Sequence, residues 1–172
     1  MMPILRMVLH VQFLPTTFIP SHKHLPPMNV LIIYKSYSKM NTEKVAKAMA
    51  EATNATLMKV EETKPDDLSR YDLIGIGSGI YAGKYHKSVF KLIEKIPKLE
   101  KDVFLFHTAG GPDEKYDKPM KELLAGKGAK IVGEFRCPGA AGLLGFTWAN
   151  KGHPDDQDLA NARAFAKGLM AA

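Results

Sequence analysis

The stretch Val30-Leu31-Ile32-Ile33-Tyr34-Lys35-Ser36-Tyr37-Ser38-Lys39-Met40-Asn41-Thr42 decides the fold. Its first five residues form a continuous apolar run of strand length, as expected for a strand covered on both faces. A polar loop, Lys35 to Asn41, follows, and Thr42 to Ala52 then places Val45, Ala48, Met49 and Ala52 at i, i+3, i+4 and i+7. That spacing makes one buried stripe on an amphipathic helix. The unit is therefore strand, loop, helix, with the loop at the carboxyl end of the strand.

The same alternation repeats downstream. Thr56 to Val60 reads as a second strand, and Lys64-Pro65-Asp66-Asp67 as a turn into a short helical piece. Asp72 to Ile80 reads as a third strand ending in glycines. A helix over Lys87 to Ile96 buries Val89, Phe90, Ile93 and Ile96 and is stopped by Pro97. Val103 to Phe106 is the fourth strand, followed by a loop from His107 to Lys118. Pro119 opens a helix that leaves through Gly126 and Gly128. Ile131 to Phe135 is the fifth strand, a long Gly-rich loop follows, and Asp155 or Asp156 caps a last helix. Five strands alternating with helices predict an α/β fold: a three-layer, doubly wound, five-stranded parallel sheet with right-handed crossovers. Ligands of such sheets bind beyond the carboxyl ends of the strands, so function is expected in the loops after strands one, three, four and five.

Composition bounds the rest. The 172 residues are 45% hydrophobic and 24% charged, an ordinary globular balance. The single cysteine, Cys137, cannot build a disulfide framework or a two-cysteine metal motif, which favours a reducing, cytoplasmic setting. No apolar run reaches the roughly eighteen residues of a membrane span. Residues 1–27 hold five of the eleven prolines and no acid. Pro3, His10, Gln12 and Pro15 break any signal-peptide centre, so 1–27 reads as a flexible extension, or as sequence upstream of a start at Met28, before a domain spanning 28–172. Arg6 and Lys23 are its only charges, so the +6 of the whole chain leaves +4 for the domain. That favours acidic partners. Nucleic acid is not expected as one, and the sequence carries no signature of an oligomeric state.

Three loops carry the chemistry. The first presents Ser36, Tyr37, Ser38, Lys39, Met40, Asn41 and Thr42 at a helix start, where free N–H groups and about half a positive charge can hold a dianion. Read structurally, Asn41 and Thr42 only cap the helix. In the loop after strand three, Gly77 to His86, glycines allow a flat ligand close to the main chain. There Tyr81 can stack on a heterocycle or simply cover the core. After strand four, Thr108, Ala109, Gly110 and Gly111 expose backbone to a ring edge, or form an ordinary turn. Convergence of all three on one sheet rim favours a ligand.

The run from Val30 to Ala52, with Ser36 and Asn41-Thr42-Glu43-Lys44, resembles the first strand, phosphate loop and helix of the flavodoxin family. Tyr71 to Ser88 resembles the third strand and second flavin loop of its short, single-domain members. The likeness extends through Asn150-Lys151-Gly152-His153-Pro154 and the last helix. It implies strand order 2-1-3-4-5 and FMN held noncovalently at the carboxyl edge. Ser36, Ser38, Asn41 and Thr42, with the amides of Tyr37 to Asn41, would contact the phosphate. Ser78, Gly79, Ile80 and Tyr81 would border the isoalloxazine, and Thr108 to Gly111 would close its other side.

Two departures matter. Met40 stands where the family has glycine, in a loop one residue longer than the shortest form; either the backbone avoids positive φ there, or the phosphate grip is weaker. Gly111 stands where many members place a second stacking aromatic, leaving one flavin face open or covered by Tyr85, Tyr116 or Trp148.

The resemblance implies an FMN-binding protein that passes electrons to redox partner proteins. An FMN-dependent NAD(P)H:quinone or protoporphyrinogen-type oxidoreductase is the alternative, and a cofactor-free interaction domain the third reading. His86 and His107 are loop histidines of the kind that donate protons, yet no catalytic residue and no metal ligand is assigned. Lys84, Lys87, Lys91 and Lys95, at helical spacing, form either a docking stripe for an acidic partner or a solvated helix face. Gly77 to Ala82 fits a dinucleotide fingerprint in letters, but after the third strand rather than the first. A phosphoreceiver would need acids after strand one, where Lys35 and Ser36 stand.

Overall fold

The computed structural model describes residues 28–143 and 146–171. The expectation for residues 1–27 lies outside them. Strand β1, Val30–Lys35, opens the first strand-helix unit and is buried from Val30 to Tyr34. Successive side chains of a strand point to opposite faces, so Leu31 and Ile33 enter one core while Val30, Ile32 and Tyr34 enter the other. A continuous apolar run is what this double burial demands.

Helix α1, Asn41–Thr53, lays Val45, Ala46, Met49 and Ala50 on the second core. Strands β2 (Thr56–Lys59), β3 (Leu73–Tyr81), β5 (Asp102–Ala109) and β6 (Lys130–Pro138) join β1 in parallel, in the order β2-β1-β3-β5-β6. Among the five parallel strands this is the 2-1-3-4-5 order that the resemblance implies. Helix α4, Asp156–Met170, packs beside α1, with Ala162 and Ala166 in the core they share. Helices α2, Lys87–Glu94, and α3, Lys118–Gly126, cover the opposite face with Val89, Leu92, Ile93, Met120 and Leu124. Asp155 caps α4 through a reciprocal pair of bonds with Asp158, which selects it over Asp156.

The structure corrects three boundaries. First, β5 runs on to Ala109, paired residue by residue with β6 as far as Pro138. His107, Thr108 and Ala109 are therefore strand residues, not loop. Polar and small side chains at the end of a strand read as a turn unless the partner strand is known.

Second, β3 continues through Tyr81 and turns back at Ala82-Gly83 into a two-residue strand β4, Lys84–Tyr85. Both turn residues have positive φ, 50° and 79°, which suits a two-residue hairpin. Gly77 and Gly79 thus lie inside a strand, and the dinucleotide reading fails because no glycine turn opens a helix there. Third, the long Gly-rich loop folds into an antiparallel pair, β7 (Ala141–Leu143) and β8 (Phe146–Ala149).

Candidate functional site

The carboxyl ends of β1, β3, β5 and β6 enclose a cleft of about 220 Å³. The β1–α1 loop supplies one wall: Ser36, Tyr37, Ser38, Lys39, Asn41 and Thr42 all line it. Ser38 and Met40 take φ of 67° and 54°. The left-handed conformation is therefore kept at Met40 despite its side chain, so the expectation that the backbone would avoid positive φ is corrected. Left-handed residues in a loop turn successive N–H groups toward a common centre, which suits an anion. The Met40 side chain does not line the cleft.

The floor is Thr42 and Thr108, both buried, with hydroxyl oxygens 2.8 Å apart. Gly79, Ile80 and Tyr81 form the second wall, and Thr108, Ala109 and Gly110 the third. Besides Met40, two expected residues stay outside. Ser78 is fully buried, its hydroxyl donating to Gly79 O (2.6 Å) and accepting from His86 N–H (2.9 Å). It shapes the strand end from behind. Gly111 lies beyond the rim, with open space where a side chain would be.

A fourth wall, Gly139 to Gly142, was not singled out from the sequence. Asn41 Nδ2 donates to Ala140 O (2.9 Å), and Asn150 Nδ2 donates to Gly110 O (2.6 Å). The Ala140 N–H donates to His153 O (2.8 Å). These bonds fasten the β6–β7 connection over the cleft. A Cβ on Gly139 would stand 2.8 Å from Asn41 Nδ2 and 3.2 Å from Thr108 Cβ, so only a residue without one lets the strap lie this close. The rule that function gathers beyond the strand ends already covered this loop; its small residues gave no chemical signal of their own.

The electrostatics of the lining are one-sided. Among the described residues it contains no aspartate, glutamate, histidine or cysteine, and its charged side chain is Lys39. Asn41 keeps Oδ1 buried and without a hydrogen-bond partner among the described residues, an acceptor left unsatisfied. The first N–H groups of α1 add positive potential.

The two histidines lie elsewhere. His107 is fully buried on the opposite face of β5, Nδ1 2.8 Å from Asp117 Oδ1. His86 caps α2, accepting from Ser88 N–H through Nδ1 at 3.2 Å, with its ring edge-on to Tyr37 and Tyr81. Burial, and then the nearby Lys35 charge, hold its pKa below the ordinary histidine value.

Of the candidates for a second flavin wall, Tyr85 is in the core bonded to Asp117, and Tyr116 packs edge-on against His107. The Trp148 side chain lies outside the described residues. Burial pushes the Cys137 thiol up to about 12, with Asp158 and Asp155 adding to it, so it is no nucleophile. Lys84, Lys87, Lys91 and Lys95 are all exposed.

Residues 31–152 match the family model described as a flavodoxin domain. An uncharacterized protein of Methanocaldococcus jannaschii is 45% identical over 148 residues, covering 83% of this chain and 99% of its own length. Among solved structures, a flavodoxin from the domain Archaea is similar with a TM-score of 0.65 at 17% identity, over 84% of this chain and 97% of its own. Flavodoxin 1 of Bacillus cereus gives 0.61 at 18% identity, over 83% and 97%. A flavoprotein of Lactobacillus acidophilus, solved in complex with FMN, gives 0.53 at 22% identity, over 63% and 93%.

Proposed function

The chain belongs to the flavodoxin domain family, and from that premise we propose that it binds FMN in the cleft and transfers electrons between redox partner proteins. The observation that carries this reading is the polarity of the lining, with hydroxyls, free helix N–H groups and Lys39 at one end and glycines with Tyr81 at the other. Such a cleft fits an anion joined to a flat ring. Ser36, Ser38, Asn41 and Thr42 would hold the phosphate, with the amides of Tyr37 to Asn41. The unpartnered Asn41 Oδ1 would accept from a ribityl hydroxyl.

Gly79, Ile80 and Tyr81 would border the ring, and Thr108, Ala109 and Gly110 its other edge. Ser78, Met40 and Gly111 act through the backbone they shape. Bound FMN supplies the redox chemistry; the chain binds it, orients it and keeps carboxylates away from it. Among the described residues the lining holds no acid, histidine or thiol, and its ionisable hydroxyls are those of Tyr37 and Tyr81. The Lys84–Lys95 face, beginning three residues beyond Tyr81, would meet an acidic partner, as charge complementarity raises encounter rates.

The test is a titration of the purified protein with FMN and with riboflavin. FMN is expected to bind with quenched fluorescence, and riboflavin at least tenfold more weakly, because each charge-assisted hydrogen bond lost with the phosphate is worth about 1.5–3 kcal/mol. Equal affinity for both, or no binding of either, refutes the site. Electron delivery to FMN that depends on a separate reductase supports the carrier; rapid NAD(P)H oxidation with a quinone by the protein alone supports the enzyme.

A further inference from the structure

Tyr37 is a large aromatic side chain that the β1–α1 loop holds in the open. It is 48% exposed, yet it stacks on Tyr81 with ring centroids 4.7 Å apart and planes 6° from parallel. Both rings line the cleft, and His86 braces both edge-on at 5.6 and 5.4 Å. On its inner side Tyr81 reaches back over Gly79, where its hydroxyl occupies the space of a Cβ at 2.7 Å. The strand end, Tyr81 and Tyr37 thus succeed one another at the mouth.

Among the described residues the Ala109-Gly110 wall has nothing comparable: neither residue carries a ring, and Gly111 beyond the rim has open space where a side chain would be. The cleft of about 220 Å³ is also smaller than the roughly 300–1,000 Å³ of small-molecule sites.

We propose that Tyr37 and Tyr81 are the two leaves of an aromatic clasp, and that the flavin ring enters between them, so that Tyr37 of the phosphate-side loop supplies the wall that the Gly110-Gly111 loop lacks. The inference rests on the FMN reading above. Carbon atoms pack at about 3.5–4.0 Å, so a ring between the leaves requires them to stand about 7 Å apart. Tyr37 is the leaf outside the strand ladder, with Lys35 Nζ 5.6 Å from its ring centroid. It lies in irregular backbone beside the left-handed Ser38, whereas Tyr81 is held in the β3–β4 hairpin by its pairing with Lys84. Each closed leaf covers a face of the other, and opening exchanges that contact for two contacts with the ligand. One loop then carries the phosphate donors and an aromatic wall together.

The experiment is a double-mutant cycle read by flavin fluorescence, with FMN and riboflavin titrated into the full chain, Tyr37→Ala, Tyr37→Phe, Tyr81→Ala and Tyr37→Ala/Tyr81→Ala. Expected are a roughly three- to tenfold loss of affinity in Tyr37→Ala, the scale of one aromatic contact, equal for both flavins, and near-complete recovery in Tyr37→Phe. The loss must persist when Tyr81 is already alanine, since Tyr37 touches the ring itself. If it vanishes in that background, Tyr37 only backs Tyr81 and the inference fails. Tighter binding in Tyr37→Ala would make Tyr37 a plug and also overturns it, as does unchanged affinity. Failure of the unsubstituted chain to bind FMN overturns the FMN reading and this one together, whereas normal binding with an inert Tyr37 overturns this one alone.

Discussion

Asp117→Ala is expected to destabilise the protein by about 3–5 kcal/mol, the cost of removing one partner from a buried charged network. Asp117 is 1% exposed and accepts from three directions: Tyr85 Oη at 2.8 Å, His107 Nδ1 at 2.8 Å and Arg136 Nε at 2.6 Å. Arg136 is also paired with Glu134, which in turn meets Lys121 at 2.7 Å. Alanine would leave His107 without its carboxylate while its Nε2 is already unpartnered and buried. At about 2–4 °C per kcal/mol for a domain of this size, Tm should fall by roughly 6–20 °C.

The pH dependence has a definite sign. Burial pushes the Asp117 carboxyl up, but the bonds from His107, Arg136 and Tyr85 outweigh it and hold its pKa below the usual range. A carboxyl depressed on folding contributes stability above its unfolded pKa of about 3.9, and loses it as pH falls through the folded value. The stability difference between the parent and Asp117→Ala should therefore be flat above about pH 5 and shrink below about pH 4. Urea unfolding at a series of pH values reads it directly. A difference that stays constant down to pH 2 would place the carboxylate's charge outside the folding energetics.

This network places His107, to which the sequence assigns no catalytic role, in a strand and in the core rather than in a loop. His107 follows Phe106 in what looks like a loop, and a loop histidine beside a glycine run invites a proton-transfer role. The extra length of β5 changes its meaning, because alternation along the strand sends Thr108 into the cleft and His107 to the far side, toward Asp117 on the approach to α3. Pairing with Arg136 on β6 makes that strand length possible, and nothing local to His107 announces it. The double burial of β1, by contrast, is written in five consecutive apolar residues. The alternation of strands with helices is likewise local in origin, whereas the 2-1-3-4-5 order is what the flavodoxin resemblance implies.

The site divides the same way. The wall formed by the β1–α1 loop is legible because hydroxyls and an amide before a helix have a chemical meaning wherever they occur. Gly139 to Gly142 had none: the strap becomes a wall through Asn41, which lies far from it in sequence, and through Asn150 just beyond it. Met40 shows the limit of matching by residue type. Its φ of 54° is the conformation glycine would supply, so the loop geometry persists where the residue differs.

The glycines of β3 carry the last correction and the second large effect. Spaced at 75, 77 and 79, they suggest room for a ligand, but a Cβ on Gly75 would lie 2.3 Å from the Phe104 ring, and on Gly77 2.1 Å from the Phe106 ring. Both rings are buried against α1 and α4. They cannot yield without disturbing the core, because interiors pack at crystal density. Gly77→Ala is therefore expected to cost about 3 kcal/mol, the upper end of ordinary overpacking, and to lower Tm by roughly 6–12 °C.

Gly79→Ala presents the contrasting case. Its Cβ would meet the far end of the Tyr81 side chain, which is only half-buried and can swing aside. Its stability cost should stay under about 1 kcal/mol, as for most changes outside the core, while its effect falls on flavin affinity, through the displaced ring. Calorimetric melting of the two variants beside FMN titrations of each separates these roles. If Gly77→Ala melts like the parent, the Phe106 ring does not fill the place of its side chain, and the row of glycines belongs to the ligand after all.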